Sequence, residues 1–517
     1  MKNIVVVGGG TAGWMTALVA KKAFKNDVVT LIESEELGIL GAGEGTTPQF
    51  IDLMNWLKIP IEDFIKNTGT TFKHGGKFTN WLGDGTHYWH NFGSYDSDLG
   101  GDAPASYDHN FNHNNLYYHT AVVNNEDKLK IDIAALLCEE YKTPFIKKEK
   151  IRNVYETFGP FAQISPVAIH FDAVKVAKFL KNIGTQRGII NIEGKVIKAE
   201  NDESGNISEI ILDNDKKIKV DFVFDCSGFY KVLINKHFKV KDKRVNDKLT
   251  VNSAQPFFLL PPPKDKVPPY TEAVAMKYGW IWKIPLQHRF GCGYVYDNNY
   301  INREEAKKEI IEYLGFEPEF GGHFSFNAGY VETPWIKNCI AVGVSSGFLE
   351  PLEASSIWTS EYFLENIFSD PAQLFLDDQR IRDDFNLRFC KWWEKIIDIV
   401  YLHYMGDRTD TEFWKHFQKI ENAPTFVQQT LKKWEYSLPR RNDFFDETGD
   451  RPWQLSNWFE VALGVNKINI DRIAKSVKNN GWDSYWPYYQ NRKAYQREIV
   501  SNAVDHGEVL KFFGGFN

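Results

Sequence analysis

The chain has 517 residues, 43% hydrophobic and 25% charged, with a net charge of −7. This length can bury a large core and hold two or more structural units. The acidic balance, with no long basic block, argues against nucleic acid and anionic membranes as partners.

In chain order, residues 4–7 are a short β-branched run bounded by glycines and predict a buried strand. Residues 11–24 have helical spacing, and residues 28–32 form the next strand, ending at Glu33. This is a βαβ unit with a right-handed crossover. Residues 75–165 are rich in aromatics, Asn and His, and do not continue that pattern. Residues 207–212 and 218–224 flank the polar turn Asp213-Asn214-Asp215 and predict a hairpin. The second run leads into Asp225-Cys226-Ser227-Gly228. Residues 250–330 hold Pro261-Pro262-Pro263 and then alternating strands around 280–285 and 290–296. A buried strand over 339–344 leads to Ser345-Ser346-Gly347. Beyond about 360 the pattern is helical, with a long amphipathic stretch over 384–402.

The fold class expected is α/β with α+β insertions. A Rossmann-like FAD-binding module spans 1–360 and carries inserted substrate-side sheets at about 75–165 and 250–330. A mostly helical subdomain over 361–517 completes the substrate pocket. No apolar run is long enough to span a bilayer, and no signal peptide precedes the first strand. The five cysteines (138, 226, 292, 339, 390) form no CxxC pair, so no metal site is expected, and a reducing cytoplasm fits. Sixteen tryptophans exceed what core packing needs, so some are expected to line a pocket for a flat ligand.

Gly8-x-Gly10-x-x-Gly13 lies between the first strand and helix. Gly8 permits a tight turn, Gly10 lets a pyrophosphate approach the backbone, and Gly13 lets the helix pack on the strand. The helix start then offers free N–H groups and the positive end of its dipole to an anion. Glu33, about 20 residues on, is placed to accept from an adenosine ribose. Gly9, Thr11 and Ala12 complete the loop. FAD is favoured over NAD because 225–228 and 343–347 read as the returning strands of a flavoprotein domain. No second GxGxxG is present, so reduced flavin is expected from a separate reductase.

Several strings together resemble the flavin-dependent tryptophan halogenase family. They are Gly8–Trp14, Gly41-Ala42-Gly43-Glu44, Phe72-Lys73 before Lys77-Phe78, His170-Phe171-Asp172-Ala173, Asp225–Gly228, Gly279-Trp280-Ile281-Trp282-Lys283-Ile284-Pro285, and Phe348-Leu349-Glu350-Pro351-Leu352-Glu353. The resemblance implies a relay. Reduced FAD and O2 oxidise a halide to hypohalous acid, which reaches a lysine beside an electron-rich aromatic or indole-like substrate.

Carried over residue by residue, the resemblance makes Lys73 the relay lysine and Glu353 the catalytic carboxylate. Lys77 and Glu350 are then structural neighbours. Ser34, Glu44, Gly45, Val344 and Ile357 join the cofactor set. Trp280 and Trp282, with Ile284 and Pro285 shaping their strand, screen the organic substrate from the flavin. His90 and Phe92 match positions that sandwich the substrate ring, with Trp453 and Asn457 opposite. The Tyr and Glu residues that clamp the amino-acid group of free tryptophan have no clear counterpart in 443–451, which argues against that substrate. After Glu353 the family reads Ser-Thr-Gly, where this chain has Ala354-Ser355-Ser356. Ser355 and Ser356 are therefore the halide candidates. A reshaped cradle would penalise chloride, the most strongly hydrated halide, so bromide or iodide is expected over chloride. The other readings are an FAD-dependent aromatic hydroxylase on the same scaffold and a non-catalytic flavin-binding protein. A homo-oligomer is compatible with the aromatic C-terminal region.

Overall fold

The computed structural model describes residues 1–37, 43–92, 133–146, 167–439, 441–446, 449–450, 452–453, 455–479 and 486–516. The chain divides into two compact units, each assembled from three stretches. Unit one is Met1–Thr70, Phe171–Asn252 and Ser325–Glu394; unit two is Thr71–His170, Ser253–Phe324 and Lys395–Asn517. This division differs from a boundary at 360, because the chain leaves and re-enters each unit instead of completing one before the next.

The sheet of unit one runs in the order Trp335–Ile336, Cys339–Ala341, Phe222–Asp225, Asn3–Val7, Val28–Glu33, Ile190–Glu193. All pairings are parallel except that of the Trp335–Ile336 edge. Ile4, Val5 and Val6 are buried on both faces, as a covered parallel sheet requires. The helix Thr11–Ala23 buries Trp14, Met15, Leu18 and Val19. The helix Ala173–Gln186 is capped by Asp172, whose carboxylate accepts from Val174 N and Lys175 N at 3.1 and 3.2 Å. A Cβ on Gly184 would lie 2.7 Å from the Trp14 ring, so that glycine sets how closely the two helices pack.

The hairpin expected over 207–224 forms only in part. Ile207–Leu212 pairs antiparallel with Lys217–Lys219, but Phe222–Asp225 joins the parallel sheet beside Asn3–Val7. Lys-Ile-Lys alternates and suits a half-exposed strand, whereas Phe222, Val223 and Phe224 are apolar throughout and need cover on both sides.

In unit two the two stretches read as separate insertions share one sheet. Its main path is Glu319–Phe320, Ser253–Leu259, Phe290–Tyr296, Gly279–Pro285, Thr271–Ala275, Gly75–Thr79, His87–Asn91. The two stretches join through the parallel pairing of Thr271–Ala275 with Gly75–Thr79. Phe257, Ile281, Cys292, Tyr294 and Ile310 form its core. The helix Leu455–Gly464 docks on the His87–Asn91 strand, where a Cβ on Gly464 would lie 2.3 Å from the Tyr88 ring. Among the described residues no helix is long and apolar enough to cross a membrane.

Candidate active site

Unit one holds Gly8, Gly9, Gly10, Thr11, Ala12, Gly13, Glu33, Ser34, Glu44, Gly45, Val344, Glu353, Ser355, Ser356 and Ile357. Unit two holds Lys73, His90, Phe92, Trp280, Trp282, Ile284, Pro285, Trp453 and Asn457. Gly41 and Ala42 lie outside the described residues.

The glycines of the first turn have separable tasks. Gly8 adopts φ +121°, and a Cβ there would lie 2.1 Å from the Cys226 carbonyl oxygen. A Cβ on Gly13 would lie 1.8 Å from the Gly8 oxygen, and one on Gly9 1.9 Å from the Glu33 carboxylate. Gly10 alone of the four faces open space, with nothing within 4 Å. The helix that follows has no side-chain cap and no acidic residue in its first turn. The Thr11 hydroxyl is buried without a partner among the described residues. An open glycine, unfilled N–H donors and a spare hydroxyl fit a dinucleotide pyrophosphate. Glu33 pairs with Lys181 at 2.6 Å and accepts from Asn191 Nδ2 at 2.9 Å, which holds its carboxylate in place. Gly343, at φ +70°, lies against Ala12: a Cβ would approach the Ala12 Cβ to 2.7 Å. Val344 sits half-buried in the same turn.

Two acids of unit one are strongly perturbed. Burial, aided by the charge of Asp172, pushes the half-buried Glu44 carboxyl up to about 7. Burial holds Glu361 well above the carboxylate range, with Thr47 Oγ1 donating to it at 3.4 Å. Glu361 carries no motif, and the sequence reading missed it.

Glu353 lies just ahead of the helix Ser355–Ser369 in a left-handed conformation (φ 66°, ψ 12°), and Ala354 follows in the same region (φ 52°, ψ 27°). Each costs about 1–2 kcal/mol for an L-residue, so the surrounding structure must impose the pair. The helix start again has no side-chain cap and no acid in its first turn. The hydroxyls of Ser355 and Ser356 are both buried without a partner among the described residues. The turn thus offers both backbone and side-chain donors. Ile357 is half-buried in the first turn of that helix.

In unit two, Lys73 ends the strand Thr71–Lys73, which pairs antiparallel through Thr71–His170, Phe72–Ile169 and Lys73–Ala168. Its side chain is 6% exposed, and its Nζ lies 4.9 Å from the Phe92 ring centre. Lys77 instead lies 5.5 and 5.8 Å from the rings of Trp89 and Tyr270, and is not beside Phe92. Phe72 N donates to His506 Nε2 at 3.0 Å, and His506 Nδ1 lies 3.0 Å from the Val267 oxygen. Burial lowers His506 to about 4 and His74 to about 3. His170 falls well below its usual value through burial and the charge of Lys73. All three imidazoles near the lysine are therefore neutral at ordinary pH.

The strand His87–Asn91 brings His90 and Phe92 to either side of Asn91. Asn457 Nδ2 donates to the Asn91 oxygen at 3.2 Å, and Asn91 N donates to Glu460 at 3.3 Å. Trp453 is buried just ahead of the Asn457 helix. Behind His90, the His403 ring stacks on Phe78 at 4.3 Å and 15°, and its Nδ1 lies 2.7 Å from the Tyr88 hydroxyl. His90 and His403 ring centres are 5.6 Å apart. His403 ends the helix Gln379–His403 and has no sequence signal.

Trp280, Trp282 and Ile284 share one face of Gly279–Pro285. Trp280 meets Trp282 edge-on at 6.3 Å and Trp81 at 6.4 Å, and Trp81 in turn meets His403 at 6.1 Å. A Cβ on Gly293, opposite Trp282, would lie 2.1 Å from that indole, so the glycine is the space the ring occupies.

A model of the tryptophan halogenase family matches residues 3–479. The chain belongs to that family. Tryptophan 6-halogenase SttH of Streptomyces toxytricini is 31% identical over 489 residues, covering 90% of each chain. Its crystal structure matches with a TM-score of 0.84 at 27% identity, over 98% of this chain and 99% of that one. The 7-chloro-L-tryptophan 6-halogenase KtzR of Kutzneria sp. (strain 744) is 29% identical over 459 residues, 84% of this chain and 85% of its own. Tar14, a tryptophan C-6 flavin-dependent halogenase (chlorinase) from taromycin biosynthesis, matches with a TM-score of 0.85 at 25% identity, over 99% and 100% of the two chains. The chain is thus a flavin-dependent halogenase, an oxidoreductase using FAD, O2 and halide.

These relatives correct one expectation. Tar14 is a chlorinase, so the expected preference for bromide or iodide over chloride does not stand. The physical reason lies in the turn itself. Ser355 keeps a hydroxyl where the family has Thr and Ser356 adds one where it has Gly, both at a helix start whose N–H groups do not depend on side chains, so the substitution removes no donor from these two positions.

Proposed function

We propose that this halogenase acts on an electron-rich arene or indole-like small molecule, with Lys73 as the relay amine and Glu353 as the carboxylate partner. The observation that carries the reading is the buried Lys73 beside the Phe92 ring, among neutral imidazoles. Bound FAD, supplied reduced by a separate reductase in the cytoplasm, furnishes with O2 the oxidising equivalents for the halide. Gly8–Gly13, Thr11, Glu33, Ser34, Glu44, Gly45, Val344 and Ile357 are proposed to hold it.

Ser355 and Ser356, with the helix N–H groups, hold the halide. Lys73 donates to the oxygen of hypohalous acid, or carries the halogen on nitrogen, and presents it to the ring. His90 and Phe92 sandwich that ring, with Trp453 and Asn457 opposite. Glu353 stabilises the cationic ring and accepts its proton as aromaticity returns. Trp280 and Trp282, bulky and buried, bar an arene while passing a species of halide size. Asp443, in the stretch where an amino-acid clamp is expected, is engaged by Lys433 and by Trp434 Nε1 at 3.2 Å, which supports a substrate other than free tryptophan.

The test supplies reduced FAD, O2 and chloride or bromide to the enzyme with an aromatic panel that includes free tryptophan, read by mass spectrometry. Halogenated arene is expected, with free tryptophan a poor substrate. Hydroxylated product, or efficient turnover of free tryptophan alone, overturns the reading.

A further inference from the structure

We propose that His170 is a positioning residue for Lys73, acting through a directed hydrogen-bond chain that ties the lysine strand to the end of the double-tryptophan strand. The proposal rests on Lys73 being the relay amine.

The chain runs through four residues. Thr71 Oγ1 donates to the Pro285 carbonyl oxygen at 2.7 Å. Its single proton is then used, so the contact of Thr71 Oγ1 with His170 Nδ1 at 3.1 Å must be donated by the imidazole. A neutral His170 protonated on Nδ1 has an accepting Nε2, and Thr271 Oγ1 lies 2.9 Å from that atom. The chain thus reads Thr271 hydroxyl to His170, His170 to Thr71, Thr71 to Pro285, with every donor and acceptor matched. His170 is fully buried, and burial together with the nearby Lys73 charge favours the neutral ring that this pattern uses.

The location gives the chain its consequence. Thr71 opposes His170 in register and lies two residues before Lys73, on the same face of the strand. Thr271 begins the strand paired with Trp280–Lys283, and Pro285 ends that double-tryptophan strand. His170 therefore couples three strands at the point where Lys73 leaves its own. On the opposite side of that strand, His506 accepts from Phe72 N. The next residue is held by backbone bonds, His74 N donating to the Pro269 oxygen at 2.8 Å and Phe92 N to the His74 oxygen at 3.2 Å. The His170 and His506 contacts fix the two residues that precede the amine, Thr71 through its side chain and Phe72 through its backbone.

A relay amine displaced by about 1 Å loses on the order of 10²-fold in transfer to the ring, while oxidation of the halide continues. The missing halogen escapes as free hypohalous acid. The experiment measures the partition of oxidised halide between arene product and an added hypohalite trap, alongside flavin reoxidation. The enzymes compared are wild type, His170→Ala, His170→Asn, Thr271→Val and Lys73→Ala. His170→Ala is expected to shift the partition toward the trap by at least tenfold, at an unchanged flavin reoxidation rate per folded enzyme. His170→Asn, which keeps a donor near the Nδ1 position, is expected to recover part of it. Thr271→Val removes only the donor to Nε2 and shifts the partition in the same direction, which keeps the test open if His170→Ala does not fold. A structural role alone would lower product and trapped halogen in proportion, and an unchanged partition in both His170→Ala and Thr271→Val overturns the proposal. If Lys73→Ala itself leaves the partition unchanged, the reading of Lys73 fails instead, so the two failures are distinguishable.

Discussion

The Lys73 ammonium lies 4.9 Å from the centre of the Phe92 ring, within cation–π range. The contact makes the proposed relay amine and one wall of the proposed arene site neighbours within one unit. Asn457 extends that neighbourhood by its hydrogen bond to Asn91, the residue before Phe92.

Lys73→Ala is expected to abolish halogenated product while FAD binding and flavin reoxidation persist, since Lys73 belongs to a different unit from Gly8–Gly13. The assay is product yield beside reoxidation kinetics, with free hypohalite scavenged. Product near the wild-type level under those conditions removes Lys73 from the mechanism.

Glu353→Gln keeps the side-chain shape and removes the charge. Loss of one charge-assisted contact in a dry site costs about 2–4 kcal/mol, so turnover should fall roughly 30- to 1000-fold. Unchanged turnover reassigns Glu353 to structure.

Ala354 stands at φ 52°, where glycine carries no Cβ penalty. Ala354→Gly relieves about 1–2 kcal/mol of backbone strain and gives back about 0.5–1 kcal/mol in unfolded-state entropy. A net stabilisation of about 0.5–1 kcal/mol in denaturant melts follows, and a destabilised variant would show that no strain is stored there.

Gly10 and Gly13 should fail in different ways. Gly10→Ala puts a methyl into open space, so the stability of the FAD-free protein should hold while FAD affinity drops at least about tenfold. Gly13→Ala places a Cβ 1.8 Å from the Gly8 oxygen, so the fold itself should lose stability. Thermal melts and flavin fluorescence titrations separate the two, and equal losses of stability in both would defeat the assignment.

Glu44 titrates near 7 in the fold against 4.5 when unperturbed. Its folded form therefore binds more protons between those values, and its contribution to stability falls as pH rises through that window and is level above it. Relative to wild type, Glu44→Gln should become progressively more stable from about pH 4.5 to about pH 7. A stability difference that is flat across that range removes the shift.

The residues legible in the sequence were those whose roles are local. Gly8, Gly10 and Gly13 are spaced by the geometry of one turn, and Trp280 and Trp282 by the two-residue period of one strand. Lys73 and Glu353 are singled out in the sequence only by motifs, because a lysine or glutamate alone does not distinguish a buried site from a solvated surface. Within its own unit, the structure brings Lys73, His90, Phe92 and Asn457 together around Asn91.

Composition, the glycine fingerprint and the motif strings determined by themselves the fold class, the cofactor class and the halogenase family. The tertiary structure alone decided that Phe222–Asp225 leaves its expected hairpin for the parallel sheet, and that the segments near 75–91 and 253–320 share one sheet. It alone also set His170 against Thr271, His506 against Phe72, and His403 against Tyr88. These contacts join residues roughly one hundred to more than four hundred positions apart. Each depends on which buried donor finds which acceptor once the sheets close, and no local spacing encodes that pairing.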